Sequence, residues 1–126
     1  MSTGTKAGLT IAETAERTGL SAHTLRYYER DGLMLAVDRS ASGHRRYTEG
    51  DLEWIQLITR LRGTGMPIRD VRRYAELVRS GPGNEAARLD LLRAHRAHVQ
   101  AELDAVTQHL RAIDDKIGIY ERLEAS

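Results

Sequence analysis

The chain has 126 residues, room for one compact domain and an appendage. Forty per cent are apolar, with no Phe and one Trp, so the core must be largely aliphatic; no Cys is present, which excludes disulfides, thiolate metal sites and iron–sulfur ligation. Net charge is only +1, but residues 1–80 carry 13 basic and 10 acidic side chains against 6 and 8 in residues 81–126, and 17 of the 19 basic residues are Arg, the cation suited to phosphate and guanine.

Met1 to Gly8 contain one Lys and no apolar run, which reads as a flexible N-terminus and neither a signal peptide nor a membrane anchor. No stretch approaches the roughly 18 apolar residues of a membrane helix, and a cytoplasmic protein is expected. Thr10-Ile11-Ala12-Glu13 is a capping box; it opens a helix to about Thr18. Gly19-Leu20-Ser21 breaks that helix, and Ser21 caps a second from about Ala22 to Arg30, stopped at Asp31-Gly32. Two short helices joined by three residues form a helix-turn-helix pattern.

On the second helix His23, Arg26, Tyr27 and Arg30 share a basic and aromatic face, and Leu25 and Tyr28 lie largely on another. A recognition helix needs this division, though an ordinary surface helix with a solvated polar face also satisfies it. Leu33 to Tyr47 reads as a hairpin around Ser40-Ala41-Ser42-Gly43. Its Arg39, His44, Arg45 and Arg46 have no acid between Asp38 and Glu49, as a strand pair lying along phosphates, or a charged solvated loop, would have. Alternation puts Arg45 and Tyr47 on one face, His44 and Arg46 on the other.

Thr48 caps a third helix, with Asp51 three residues on and apolar Leu52, Ile55, Ile58 and Leu61. Gly63-Thr64-Gly65 ends it, and Pro67 opens a fourth with a stripe of Ile68, Val71, Ala75 and Val78. The single linker is Ser80-Gly81-Pro82-Gly83-Asn84. Leu89, Leu92, Arg96, Val99, Leu103, Val106, Leu110, Ile113, Ile117 and Tyr120 then alternate three and four apart, a coiled-coil pattern. A helix of roughly 60 Å cannot bury this stripe on an 80-residue head, so a homodimer is expected, with Leu92, Val99, Leu103, Val106, Leu110, Ile113, Ile117 and Tyr120 at the interface. Arg96 sets register there or snorkels to solvent. His95 and His98 share a face, but no acid completes a metal set, and His109 stands apart; no metal or cofactor is expected. Trp54 reads as core, with an effector cavity as the alternative.

Ile11-Ala12-Glu13-Thr14-Ala15, Gly19-Leu20-Ser21, Thr24-Leu25-Arg26-Tyr27-Tyr28-Glu29, Gly32-Leu33, Gly43-His44-Arg45-Arg46-Tyr47 and Asp51-Leu52 together resemble the MerR family of bacterial transcription regulators. The resemblance implies a mainly α fold: a winged helix-turn-helix with a small β-hairpin wing over 9–79, a linker over 80–84, and a dimerisation helix over 85–126 forming an antiparallel coiled coil. It implies a homodimer on double-stranded DNA at a pseudo-palindromic operator, distorted so that RNA polymerase engages both promoter elements. It places His23, Thr24, Arg26, Tyr27 and Arg30 at bases and nearby phosphates, Arg45, Arg46 and Tyr47 on the wing, and Arg69, Arg73 or Arg72 against phosphate from a second wing. Family members that sense metals or redox state use Cys, absent here, and drug sensors carry a large ligand domain beyond the dimer helix. The chain therefore resembles short members, and a small effector stays unidentified.

No Cys nucleophile, phosphate-binding glycine loop or spaced carboxylate pair beside a His supports catalysis, so an enzyme is not expected. The rivals are an architectural or adaptor DNA-binding protein of the excision or packaging type, and a protein-only coiled-coil adaptor.

Overall fold

The computed structural model describes residues 8–35 and 38–126. The flexible tail expected over 1–8, apart from Gly8, and Ala36–Val37 of the hairpin lie outside these. The described elements are α1 (Ile11–Thr18), α2 (Ala22–Arg30), β1 (Asp38–Arg39), β2 (Arg45–Arg46), α3 (Glu49–Gly63), α4 (Ile68–Arg79) and α5 (Glu85–Ala125).

Local chemistry sets the helix starts. Thr10 accepts from the Glu13 amide at 3.1 Å while the Glu13 carboxylate accepts from the Thr10 amide at 2.8 Å, which satisfies two orphan donors of α1. These bonds from Thr10 hold the Glu13 carboxyl below its usual range. Thr48 and Asp51 repeat the device at α3, at 3.1 and 2.9 Å. Pro67 supplies the fixed φ but no side-chain cap, and α4 begins one residue later than the sequence suggests, at Ile68. Gly19 closes α1 at φ +78°, a left-handed conformation that suits a residue without Cβ.

The core lies where α1 to α4 meet. Leu52, Ile55, Ile58 and Leu61 of α3 are all buried, as are Val71 and Ala75 of α4, Leu25 and Tyr28 of α2, and Thr14 of α1. Leu77 is buried too, although it lies off the stripe, whose Val78 is only half-buried. Met34 and Met66, in loops without periodicity, also fill the core.

The hairpin pairs two residues on each side, antiparallel, with Asp38 opposite Arg46 and Arg39 opposite Arg45. A further bridge joins Leu9 to Tyr47, with reciprocal N–H···O bonds of 2.8 and 2.9 Å. The segment before α1 thereby becomes a partner of the wing, and Gly8 belongs to it: at φ +73°, its Cβ would meet the Tyr47 carbonyl oxygen at 2.7 Å. Gly8, expected within the flexible N-terminus, instead lies with its backbone close against Tyr47.

The chain divides into two compact units, one ending at Leu91 and the other beginning at Leu92. The division falls inside α5 and not in the linker at 80–84. Side chains explain the shift. Asn84 donates to the Leu77 carbonyl at 2.9 Å, and Arg88 donates to Asn84 and to the Gly81 carbonyl, each at 2.6 Å. These bonds stitch the start of α5 to the end of α4. The second unit is helix alone, and no residue of α5 is buried. Leu103, Val106, Leu110, Ile113, Ile117 and Tyr120 stand about half to two-thirds exposed.

Candidate nucleic-acid interface

Helix α2 is held from beneath. Leu25 is buried, and the Tyr28 hydroxyl lies 3.4 Å from Thr59 of α3. Its N-terminus is capped by Ser21, which accepts from the Thr24 amide at 3.0 Å and donates to the Thr24 hydroxyl oxygen at 3.0 Å. Thr24 thus keeps its own hydroxyl hydrogen for another acceptor. With the apolar face turned in, His23, Arg26 and Arg30 stand exposed, and Thr24 and Tyr27 half-exposed. Arg30 lies over the Tyr27 ring, 5.8 Å from its centroid, a cation–π contact that steadies two long side chains on the outer face.

The wing departs from expectation. Arg45 and Tyr47 share a face as alternation requires, but that face turns inward. Tyr47 is 1% exposed, a core residue, and its hydroxyl has no hydrogen-bond partner among the described residues. The backbone grip expected of Tyr47 is corrected: its ring fills the core where the Leu9 bridge draws this strand end against the helices. Burial pushes the Tyr47 phenol upward, Glu29 adds to the rise, and Arg45 opposes it. Arg45 is half-buried, and its Nε donates to a Glu29 oxygen of α2. Arg39 reaches the other Glu29 oxygen at 3.5 Å and donates to the Gly43 carbonyl at 3.2 Å. Arg46 is half-buried with its Nε enclosed, and its charge acts on Glu13 at the start of α1. His44 is exposed, its Nδ1 bonded to Ser42 at 2.9 Å.

Helix α4 presents Arg69 and Arg73 to solvent. Arg72 is committed elsewhere, donating to the Asp31 carbonyl at 2.8 Å. Arg79 donates to the carbonyls of Gly32 and Met34, at 3.1 and 2.6 Å, and Trp54 donates to that of Leu33 at 2.8 Å. Four successive carbonyls after α2 therefore each accept from α3 or α4. Arg72 and Arg79 also set positive charge against the negative end of α2, a favourable arrangement. None of these four bonds is visible in the sequence, where their partners lie 21 to 47 residues apart. Trp54 is core, 7% exposed and stacked on Tyr74 with centroids 5.5 Å apart and planes 9° from parallel.

Among the described residues no group of three His, Cys, Asp or Glu could hold a metal ion. His95 and His98 have ring centroids 6.2 Å apart, and His98 lies 3.5 Å from Glu102. No described helix is long and apolar enough to cross a membrane.

Residues 9–77 match the family model described as MerR HTH family regulatory protein, and residues 52–116 match that described as MerR, DNA binding. The chain belongs to the MerR family of DNA-binding transcription regulators. This MerR chain is 34% identical over 116 residues to an HTH-type transcriptional regulator of Haemophilus influenzae, covering 92% of this chain and 86% of that one. It is similar in structure to a MerR family regulator from Listeria monocytogenes, at 36% identity and TM-score 0.87, over 90% of this chain and 86% of that one. It is similar also to HiNmlR, described as a MerR family regulator lacking the sensor domain, bound to promoter DNA, at 34% identity and TM-score 0.82 over 92% of each chain. With the family shown, the mainly helical, winged helix-turn-helix reading holds. The regulatory reading is favoured over the architectural one.

Proposed function

We propose that the protein is a homodimer that seats two α2 helices on a pseudo-palindromic promoter operator in cytoplasmic DNA and acts by distorting it, so that RNA polymerase engages both promoter elements. The observation that carries this reading is the division of α2: Leu25 and Tyr28 are locked into the core while Arg26 stands exposed beside Tyr27 and Arg30. A fixed inner face makes the outer one a rigid probe, as base readout in a groove requires. In this reading His23, Thr24, Arg26, Tyr27 and Arg30 meet base edges and nearby phosphates. Arg45 and Arg46 set the wing beside the backbone, and Arg69 and Arg73 reach phosphates farther along it. The distortion costs a few kcal/mol, about 1–6 for smooth bending of a short site, and added contacts offset it. A promoter complex of HiNmlR supports the same partner for this chain.

Dimerisation is carried by α5. Its row from Leu103 to Tyr120 leaves large apolar side chains exposed along one helix, as surfaces that meet another chain do. An antiparallel pairing through Leu92, Val99, Leu103, Val106, Leu110, Ile113, Ile117 and Tyr120 would close it. Regulation in place of catalysis agrees with the regulators among its relatives.

Selection of bound sequences from random duplexes tests the proposal. The protein is expected to enrich a pseudo-palindrome that maps between promoter elements. Arg26→Ala should weaken binding to that site by about tenfold or more, the scale of one good base contact, and relax its sequence preference. Unchanged affinity in the variant would remove Arg26 from the reading head.

A further inference from the structure

We infer that Glu29 is a positioning residue whose carboxylate pins the wing to the recognition helix α2, and so sets the register between what the helix reads and what the wing grips. The inference rests on the operator reading above. Glu29 lies on α2 three residues after Arg26, on nearly the same face. One carboxylate oxygen takes the Nε of Arg45 from β2. The other lies 3.5 Å from Arg39 on β1, and Arg39 also donates to Gly43 in the turn. Both strands and the hairpin tip thus converge on one acidic group, which is only 21% exposed.

Two physical considerations give this convergence weight. Arg39 and Arg45 are directly opposed in the two-residue ladder, and like charges facing each other across strands destabilise the pair. A hairpin so short has no stability of its own, so an anion between the two cations removes its chief internal repulsion. The second concerns the partner. A carboxylate on a face that meets phosphates lowers affinity by plain repulsion, so a negative charge there needs a compensating role. Fixing two guanidinium groups before DNA arrives supplies one, because the ordering cost is met during folding and not on binding.

The two effects predict opposite signs for the isosteric neutral variant Glu29→Gln in the full chain. Repulsion alone predicts tighter binding to every duplex. Positioning predicts that affinity for the enriched operator falls about fivefold, the scale of losing a partly screened ion pair. Affinity for a random duplex of equal length then stays or rises, with a steeper salt dependence as Arg39 and Arg45 are freed for phosphate. Tightening on both duplexes, or an equal weakening on both, would overturn the inference. Amide exchange in the absence of DNA gives an independent reading. The Ser40 and Gly43 amides, bonded to the His44 and Ser40 carbonyls at 2.7 and 2.9 Å, should exchange faster in the variant while α3 amides keep their protection. Unchanged wing protection would also overturn it. If the wild type enriches no sequence, the operator reading fails, and exchange alone decides whether Glu29 holds the wing.

Discussion

Tyr47 carries a buried hydroxyl that finds no partner among the described residues, and such a group costs folding free energy. Tyr47→Phe is therefore expected to leave stability unchanged or to raise it by up to about 1 kcal/mol, read as the midpoint of thermal unfolding. A loss greater than that would mean the hydroxyl is satisfied. The pH dependence has a definite sign. The folded state holds the phenol proton more tightly than the unfolded chain, because burial and Glu29 both disfavour phenolate. The associated stability is complete below the ordinary tyrosine value of 10.0 and is lost as pH rises through the folded value. Urea titrations of the wild type should show a steeper decline above about pH 10 than those of Tyr47→Phe; parallel declines would deny the shift. Alternation sets Tyr47 beside Arg45 without telling which face packs, and Tyr47 stands just past β2, in the bridge to Leu9. Two-residue strands are too short to show the packed side. Arg26, Tyr27 and Arg30, by contrast, are legible from spacing alone, because a nine-residue helix with Leu25 and Tyr28 opposite has only one face to bury.

At the scale of the element, caps and braces divide the work. Thr48 begins the helix that supplies much of the core, including Trp54, Ile55 and Ile58, and its hydroxyl and amide are both engaged with Asp51. Thr48→Ala should cost about 1 kcal/mol, seen as a lower urea midpoint with an unchanged slope; no change would mean that solvent replaces the cap without loss. Both capping boxes and every helix were legible, since a cap is written within four residues and a stripe within a few turns. The carbonyl brace from Arg72, Arg79 and Trp54 was not. It joins α3 and α4 to the turn after α2 through side chains remote in sequence, and no local pattern encodes such a pairing. The bridge from Leu9 to Tyr47 likewise joins residues far apart in sequence and leaves no local pattern. Helix stripes also miss Leu77, which is buried although it lies off the apolar stripe of α4. The brace also explains how a recognition helix of nine residues keeps its orientation: the turn that leaves its C-terminus is held by α3 and α4.

In the proposed dimer, two basic heads share one rod formed from α5. A 41-residue helix spans about 61 Å at 1.5 Å per residue, and its apolar row is bare in a single chain. Burying a Val or Leu side chain contributes about 1.5–3 kcal/mol, so the row from Leu103 to Tyr120 would hold two chains together firmly even after the entropy of association. Val106 and Leu110 lie near its middle, and acidic side chains there would face apolar ones across the seam. The double variant Val106→Glu, Leu110→Glu should leave the head folded, since neither residue is buried in the single chain. The most direct measurement is molecular mass in solution, by sedimentation equilibrium, for the wild type and this variant, each free and mixed with the enriched duplex. The expected result is a wild-type dimer that binds one duplex per two chains, and a variant that is monomeric and binds the duplex weakly. A wild type of one-chain mass, or a variant that remains a dimer, would contradict it.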